Sequence, residues 1–242
     1  MKKILCVFLS VVMILGMCLA LVGCGPEDIR GDITTKPTEN IRGEVSGDNN
    51  KPDETTAPTQ PKETEPDFSM GKSTGNTYNN DFLGISCTLP ADWVFYTDEQ
   101  IKQLNNVVGD YMDESVKDQL KNATIIYDMQ AAAQGSSVGV NMEKLNALQI
   151  AGLNIKQVLE SQIPTIKDMY SQMGYTVTKA ECDKVTVDGK EFDCLKLTAK
   201  VQNMDFVLVA FSFRKSNYLA TVTVGTFGAS QLDTILGYFD VK

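Results

Sequence analysis

The sequence predicts an α+β domain over residues 77–242, with an antiparallel sheet flanked by helices. Three observations predict it. Runs rich in β-branched and aromatic residues recur between short turns. Two stretches with apolar residues at helical spacing are inserted among these runs and do not alternate with them. Asp188-Gly189 joins two long runs and is a strong hairpin signal. Consecutive strands joined by tight turns pair antiparallel, which argues against a doubly wound nucleotide-binding fold.

Each element is predicted from its local pattern. Thr97 or Asp98 is the expected N-cap of the first helix. Gly174 is expected to end the second helix, and Pro164 to kink or divide it. Ser230 is expected to cap a final short helix that extends to Phe239. The predicted elements are a hairpin over 78–89, an extended segment at 94–96, helix 98–121, strands 124–132 and 137–142, helix 154–173, and hairpins over 175–201 and 205–227.

Residues 1–23 have the form of an export signal. Lys2 and Lys3 give a positive start, and an apolar run follows to Leu21. Leu21-Val22-Gly23-Cys24 resembles the lipobox of bacterial lipoproteins. The resemblance implies cleavage after Gly23, lipidation of the Cys24 thiol and anchoring to the extracytoplasmic face of the cell membrane. The alternative is an uncleaved membrane-spanning helix, against which Gly25-Pro26 argues because proline ends a continuing helix.

Residues 24–76 are predicted to be a disordered linker. They are rich in Thr, Pro, Glu, Asp and Gly, so they bury too little apolar surface to offset the entropy of ordering. Roughly 50 residues of flexible chain span about 40 Å. That reach suits a domain held away from a membrane within a surrounding wall, and therefore a Gram-positive-type envelope.

Composition excludes several classes of function. The formal charge is −9, and it becomes −11 once Lys2 and Lys3 leave with the leader. An acidic chain without a basic run argues against nucleic acid as a partner. Histidine is absent, which excludes Ser-His-Asp and Cys-His catalysis. No glycine-rich phosphate loop and no calcium loop occurs, so we predict no catalytic residue, cofactor or metal ligand.

Three cysteines belong to the predicted domain. Cys87 lies within a strand and is expected to be a small buried hydrophobe. Cys182 and Cys194 flank a hairpin and could form a disulfide. Free thiols are the preferred interpretation, because three is an odd number.

The segment from Tyr78 to Trp93, with its "P-x-x-W" turn at residues 90–93, resembles the opening of domains of the PsbP and Mog1 superfamily. The order of the predicted elements is similar as well. The resemblance implies an α-β-α sandwich. It implies no activity and no site residues, because that fold serves unrelated roles.

A tether followed by a domain without a catalytic motif indicates a non-enzymatic binding or accessory module. Its partner is expected to be an envelope protein, an envelope polymer or a small ligand. Trp93 and Tyr96 are the candidate surface for that partner, although core packing is the favoured role of Trp93. Two alternatives stay open, namely a histidine-free enzyme that acts on envelope polymers through carboxylates, and a spacer or chaperone-like partner of a membrane complex.

Overall fold

The computed structural model describes residues 68–106 and 125–242, which all belong to one compact unit. The predicted leader, Cys24, the linker as far as residue 67 and the second half of the first predicted helix lie outside the described residues. In the described part of the chain, no helix is long and apolar enough to cross a membrane.

A seven-stranded antiparallel sheet, here the large sheet, is the centre of the domain. Its strands lie in the order β4-β5-β6-β10-β9-β8-β7. Asp188 and Gly189 both have positive φ, at 50° and 70°, which is the backbone of the tight turn predicted between β7 and β8. The strands are β4 (Val94–Phe95), β5 (Ile125–Ala133), β6 (Ser136–Lys144), β7 (Thr176–Val187), β8 (Lys190–Val201), β9 (Met204–Lys215) and β10 (Tyr218–Phe227).

A second, four-stranded sheet, here the small sheet, packs on one face of the large sheet. It contains β1 (Lys72–Thr74), β2 (Thr77–Asn80), β3 (Ile85–Thr88) and the C-terminal β11 (Phe239–Val241) in the order β1-β2-β3-β11. The two sheets share the larger hydrophobic core. The ring of Phe68 stacks on that of Tyr218 at 5.2 Å, so the ordered fold begins before the boundary expected at Thr77.

The helices of the described residues pack around the large sheet, one of them on the same side as the small sheet and the longest on the opposite face. They are α1 (Asp98–Leu104), α2 (Ala147–Ala151), α3 (Ile155–Gln172) and α4 (Leu232–Leu236). Leu159, Ile166 and Tyr170 of α3 pack on β8 and β9, and they form a second core. We call this side of the large sheet the α3 face and the other the small-sheet face. The predicted fold class, α+β with an antiparallel sheet flanked by helices, is confirmed.

The first helix ends earlier than its apolar spacing predicts. Thr97 is its N-cap and forms a capping box with Gln100. After Leu104 the side chain of Asn105 accepts a hydrogen bond from Tyr127 N at 2.8 Å and donates to Tyr127 O at 2.7 Å. Asn105 thereby pairs with β5, which stops α1. Of the predicted helix 98–121, the part from residue 107 lies outside the described residues.

Two further expectations are corrected at the helices. Pro164 does not divide the second helix, because α3 runs unbroken from Ile155 to Gln172 and its packing on the sheet compensates for the lost hydrogen bond. Ser230 does not cap the last helix. It lies in a 3-10 turn (Ala229–Gln231), and Phe239 belongs to β11 because its backbone pairs with Cys87.

Candidate functional site

Four of the polar side chains that the large sheet buries on its α3 face have atoms without a hydrogen-bond partner in the described part of the chain. They are Gln130 on β5, Asn141 and Glu143 on β6, and Thr223 on β10, and we call them the polar row. Their side chains are between 2 and 6% exposed. Gln130 and Thr223 lie opposite Gly139 on the strand between them. Gly139 has no side chain and is itself buried, so the row surrounds a position on β6 where the sheet contributes only backbone.

Strand geometry fixes the size of the row. Neighbouring strands are about 4.8 Å apart, so Gln130 and Thr223 are roughly 10 Å apart across β6. Asn141 and Glu143 are alternate residues of one strand, which separates them by about 7 Å. The four side chains therefore cover a patch that one or two sugar-sized rings would span.

The row has hydrogen-bonding groups that no atom of residues 68–106 or 125–242 satisfies. Both polar atoms of the Gln130 amide, Oδ1 of Asn141, Oε2 of Glu143 and Oγ1 of Thr223 are buried without a hydrogen-bond partner among these residues. An unmet buried polar group costs about 1–3 kcal/mol. Folded proteins meet this need for most such groups, so several unmet groups on one patch indicate a site that an additional molecule completes.

Glu143 is the ionisable side chain of the polar row. Burial raises its pKa from 4.5 to about 7, so the carboxyl exists in both protonation states near neutral pH. It is the only carboxylate that β5, β6, β9 and β10 place on this face, because Asp128 and Asp205 belong to the other side of their strands. Tyr127, opposite Asn141, has a pKa raised by burial to about 12 and stays neutral.

A second buried polar cluster lies only two residues from the row on the same strand. A β-bulge turns Asp128 to the small-sheet face, where it accepts hydrogen bonds from the Tyr78 hydroxyl, from Asn80 Nδ2 at 2.7 Å and from Gly71 N at 2.8 Å. Burial raises the pKa of Asp128 above its usual value. A Cβ at Gly71 would overlap the Tyr78 ring. We call this the Asp128 cluster.

The sequence-predicted surface residues lie near β5. Trp93 is half-buried and packs against the larger core. The backbone N of Tyr96 donates to Gln130 O at 2.8 Å, which continues the β4–β5 pairing and puts Tyr96 opposite Gln130. Tyr96 is therefore adjacent to the polar row. Its role, like that of Trp93 as a partner surface, stays a prediction.

The three cysteines of the domain are free. Cys182 lies opposite Leu195, and Cys194 opposite Asp183, so the two thiols belong to opposite faces of the β7–β8 pair. That placement rules out the disulfide left open by the sequence. Burial raises the pKa of Cys87 to about 12 and that of Cys194 to about 11, the reverse of what a nucleophile needs.

The sequence pattern did not reveal the polar row. Its members alternate with apolar residues along β5, β6 and β10, and such alternation ordinarily predicts a strand with one face in water. Only burial distinguishes a solvated polar face from an enclosed one. Among the residues that the structure describes, no group of three or more His, Cys, Asp or Glu side chains is placed to hold a metal ion.

No protein-family model and no curated protein sequence matches the chain. Solved structures share its arrangement of elements at low identity. A cyanobacterial PsbP from Synechocystis sp. PCC 6803 is 14% identical with a TM-score of 0.39, over 73% of this chain and 95% of that one. The Saccharomyces cerevisiae Ran-binding protein Mog1p is 13% identical with a TM-score of 0.35, over 72% and 96%.

A third such structure is LpqN, involved in cell envelope biogenesis of Mycobacterium tuberculosis. It is 8% identical with a TM-score of 0.34, over 63% of this chain and 75% of that one. Likenesses at this level concern the arrangement of strands and helices. They assign this chain neither an activity nor a partner.

Proposed function

We propose that this chain is an extracytoplasmic lipoprotein, anchored through Cys24, whose domain binds a neutral saccharide of the cell envelope without transforming it. The observation that carries the binding role is the polar row, where Gln130, Asn141, Glu143 and Thr223 have buried atoms without a partner. The lipobox-like sequence at residues 21–24 and the composition of the linker support the anchoring.

The chemistry of the row favours a neutral ligand with hydroxyl and amide groups. Carboxamides both donate and accept, and a threonine hydroxyl does the same, which suits hydroxyl and acetamido groups. Arg214, the one cation that β5, β6, β9 and β10 place on this face, is exposed and two strands from Glu143. The acidic chain as a whole also repels polyanions. Because the row is closed to solvent in this conformation, a ligand reaches it only after this face opens.

The binding proposal is tested by titrating the full chain in lipid nanodiscs with chitotetraose, a neutral acetamido saccharide. We expect binding that weakens at least tenfold, by about 1.4 kcal/mol, in Gln130→Leu and in Thr223→Val. Gln157→Leu removes an exposed amide from α3 and is the matched control. No binding by the unmodified chain, or equal binding by all variants, would overturn the proposal.

The anchoring proposal has its own test. Mass spectrometry of the protein from native membranes should show a mature chain that begins at a diacylglyceryl-modified Cys24. Cys24→Ser should accumulate as a precursor that retains Met1. An unmodified Cys24 in native material would contradict the anchor and would leave the binding result unaffected.

A second candidate function rests on Glu143. A carboxyl with a pKa of about 7 suits a general acid, and a carboxylate-dependent glycan hydrolase would use one. Such enzymes need a second carboxyl roughly 5 to 9 Å away, and the four strands around Glu143 provide none on this face. Release of reducing ends from chitotetraose, abolished by Glu143→Gln, would establish hydrolysis in place of simple binding.

A further inference from the structure

A cavity of about 420 Å³ lies on the small-sheet face of the large sheet, between α4 and the strands β7, β8 and β9. It is separate from the polar row, which belongs to the other face. Its volume falls within the range of small-molecule sites in proteins. The apolar part of its wall consists of Val185, Val187, Cys194, Val209, Leu232 and Leu236.

Two charged side chains that line this cavity, those of Lys196 and Asp233, form no ion pair with any other described residue. Lys184 is held by Asp193 at 3.0 Å and Glu191 at 3.4 Å, and the Asp188 carboxylate accepts from Val241 N at 3.2 Å. Lys196 also lines the cavity and is half-buried, yet it forms no ion pair with any residue in the described ranges. On the same strand, Lys200 is paired with Asp205 at 3.4 Å.

A lysine beside an apolar wall is suited to an amphipathic anion. A carboxylate forms a charge-assisted hydrogen bond with the ammonium, and burial of an aliphatic or aromatic body adds about 25 cal/mol per Å². Asp188 and Asp233 also line the cavity, so they oppose a doubly charged group such as a phosphate monoester.

We propose that this cavity binds a small amphipathic carboxylate, with its apolar body between α4 and β7–β9 and its carboxylate at the Lys196 ammonium. The site is independent of the saccharide proposal, because it uses other residues on the other face of the sheet. The chemistry is reversible binding, with no covalent step.

The test is calorimetric titration of the full chain in lipid nanodiscs with sodium 4-phenylbutanoate, after subtraction of the signal from empty nanodiscs. We expect Lys196→Met to weaken binding at least tenfold. Lys200→Met, an exposed lysine of the same strand, is the matched control and should bind as the unmodified chain does. The neutral isostere 4-phenylbutanamide should bind the unmodified chain as weakly as the acid binds Lys196→Met.

Equal affinity of the unmodified chain and Lys196→Met for the carboxylate would overturn the proposal. So would tighter binding of phenyl phosphate, which would make this a phosphate site, or absence of binding by the carboxylate. Leu236→Trp, which fills the cavity, provides a second test and should abolish binding. If that variant does not fold, the Lys196→Met comparison still decides the question.

Discussion

Strand β5 carries two buried polar side chains, only two residues apart, whose surroundings differ completely. Asp128 on the small-sheet face accepts three hydrogen bonds from Gly71, Tyr78 and Asn80. Neither amide atom of Gln130, on the α3 face, has a hydrogen-bond partner among the residues that the structure describes. The first arrangement joins two sheets, whereas the second leaves hydrogen-bonding capacity unused. Under the proposed function, the difference separates a polar group that maintains the fold from one that a ligand would pair with.

The largest effect is expected from breaking the Asp128 cluster. Asp128→Ala leaves the Tyr78 hydroxyl, the Asn80 amide and the Gly71 N–H without their acceptor, so the free energy of unfolding should fall by about 3–5 kcal/mol. Urea denaturation followed by the fluorescence of Trp93 measures it. The exposed Asp81→Ala is the control and should change the free energy by less than about 0.5 kcal/mol. A loss below 1 kcal/mol for Asp128→Ala would contradict a structural role for the cluster.

The next prediction concerns the α3 face, where ionisation of Glu143 should make the stability of the protein depend on pH. Glu143 has a folded pKa of about 7, above its ordinary value of 4.5. The folded state therefore favours the protonated carboxyl. The contribution of this carboxyl to the free energy of unfolding is fully present below pH 4.5 and is lost as the pH rises to about 7. Allowing for solvent screening, the loss is about 1–2 kcal/mol.

Glu143→Gln should remove this pH dependence and leave the protein more stable than the unmodified chain at pH 8. Unfolding free energies measured between pH 4 and 8 test this, with the exposed Glu99→Gln as the control. If the unfolding free energies of the unmodified chain and of Glu143→Gln changed in parallel with pH, the Glu143 carboxyl would not be buried, which would contradict the structure.

The smallest expected effect comes from two threonines on β10, whose replacement by valine should change the free energy of unfolding in opposite directions. The buried hydroxyl of Thr223 has no partner in the described part of the chain, so Thr223→Val should raise the free energy of unfolding by about 1 kcal/mol. The Thr226 hydroxyl lies 2.8 Å from that of Ser136, so Thr226→Val should lower it by about 1 kcal/mol. Thermal or urea unfolding of both variants makes the comparison. A loss of stability in Thr223→Val would mean that its hydroxyl already has a partner.

Local patterns predicted much of this fold because local physics determines those parts. The Asp188-Gly189 turn, the hairpin of β9 and β10 and the capping of α1 by Thr97 each depend on residues close in sequence. The small sheet was only partly predicted. One of its outer strands pairs through long-range contacts, since β11 at the C-terminus adds to β3 near the beginning of the domain.

The candidate site was not predictable for a related reason. Gln130, Asn141 and Thr223 come together only through the register of three strands, and the alternation of each strand alone indicates a solvated face. The end of α1 also depends on a distant partner, because Asn105 pairs with the backbone of Tyr127. Tyr96, chosen from sequence for its aromatic neighbours, lies beside the row because β4 pairs with β5.

The most direct test of the polar row is a crystal structure of the chain grown with chitotetraose. The saccharide-binding role of the row predicts saccharide oxygen or nitrogen atoms about 3 Å from the side chains of Gln130, Asn141, Glu143 and Thr223. It would be contradicted by a row whose atoms are bonded to one another or to ordered water while the saccharide is absent or bound elsewhere.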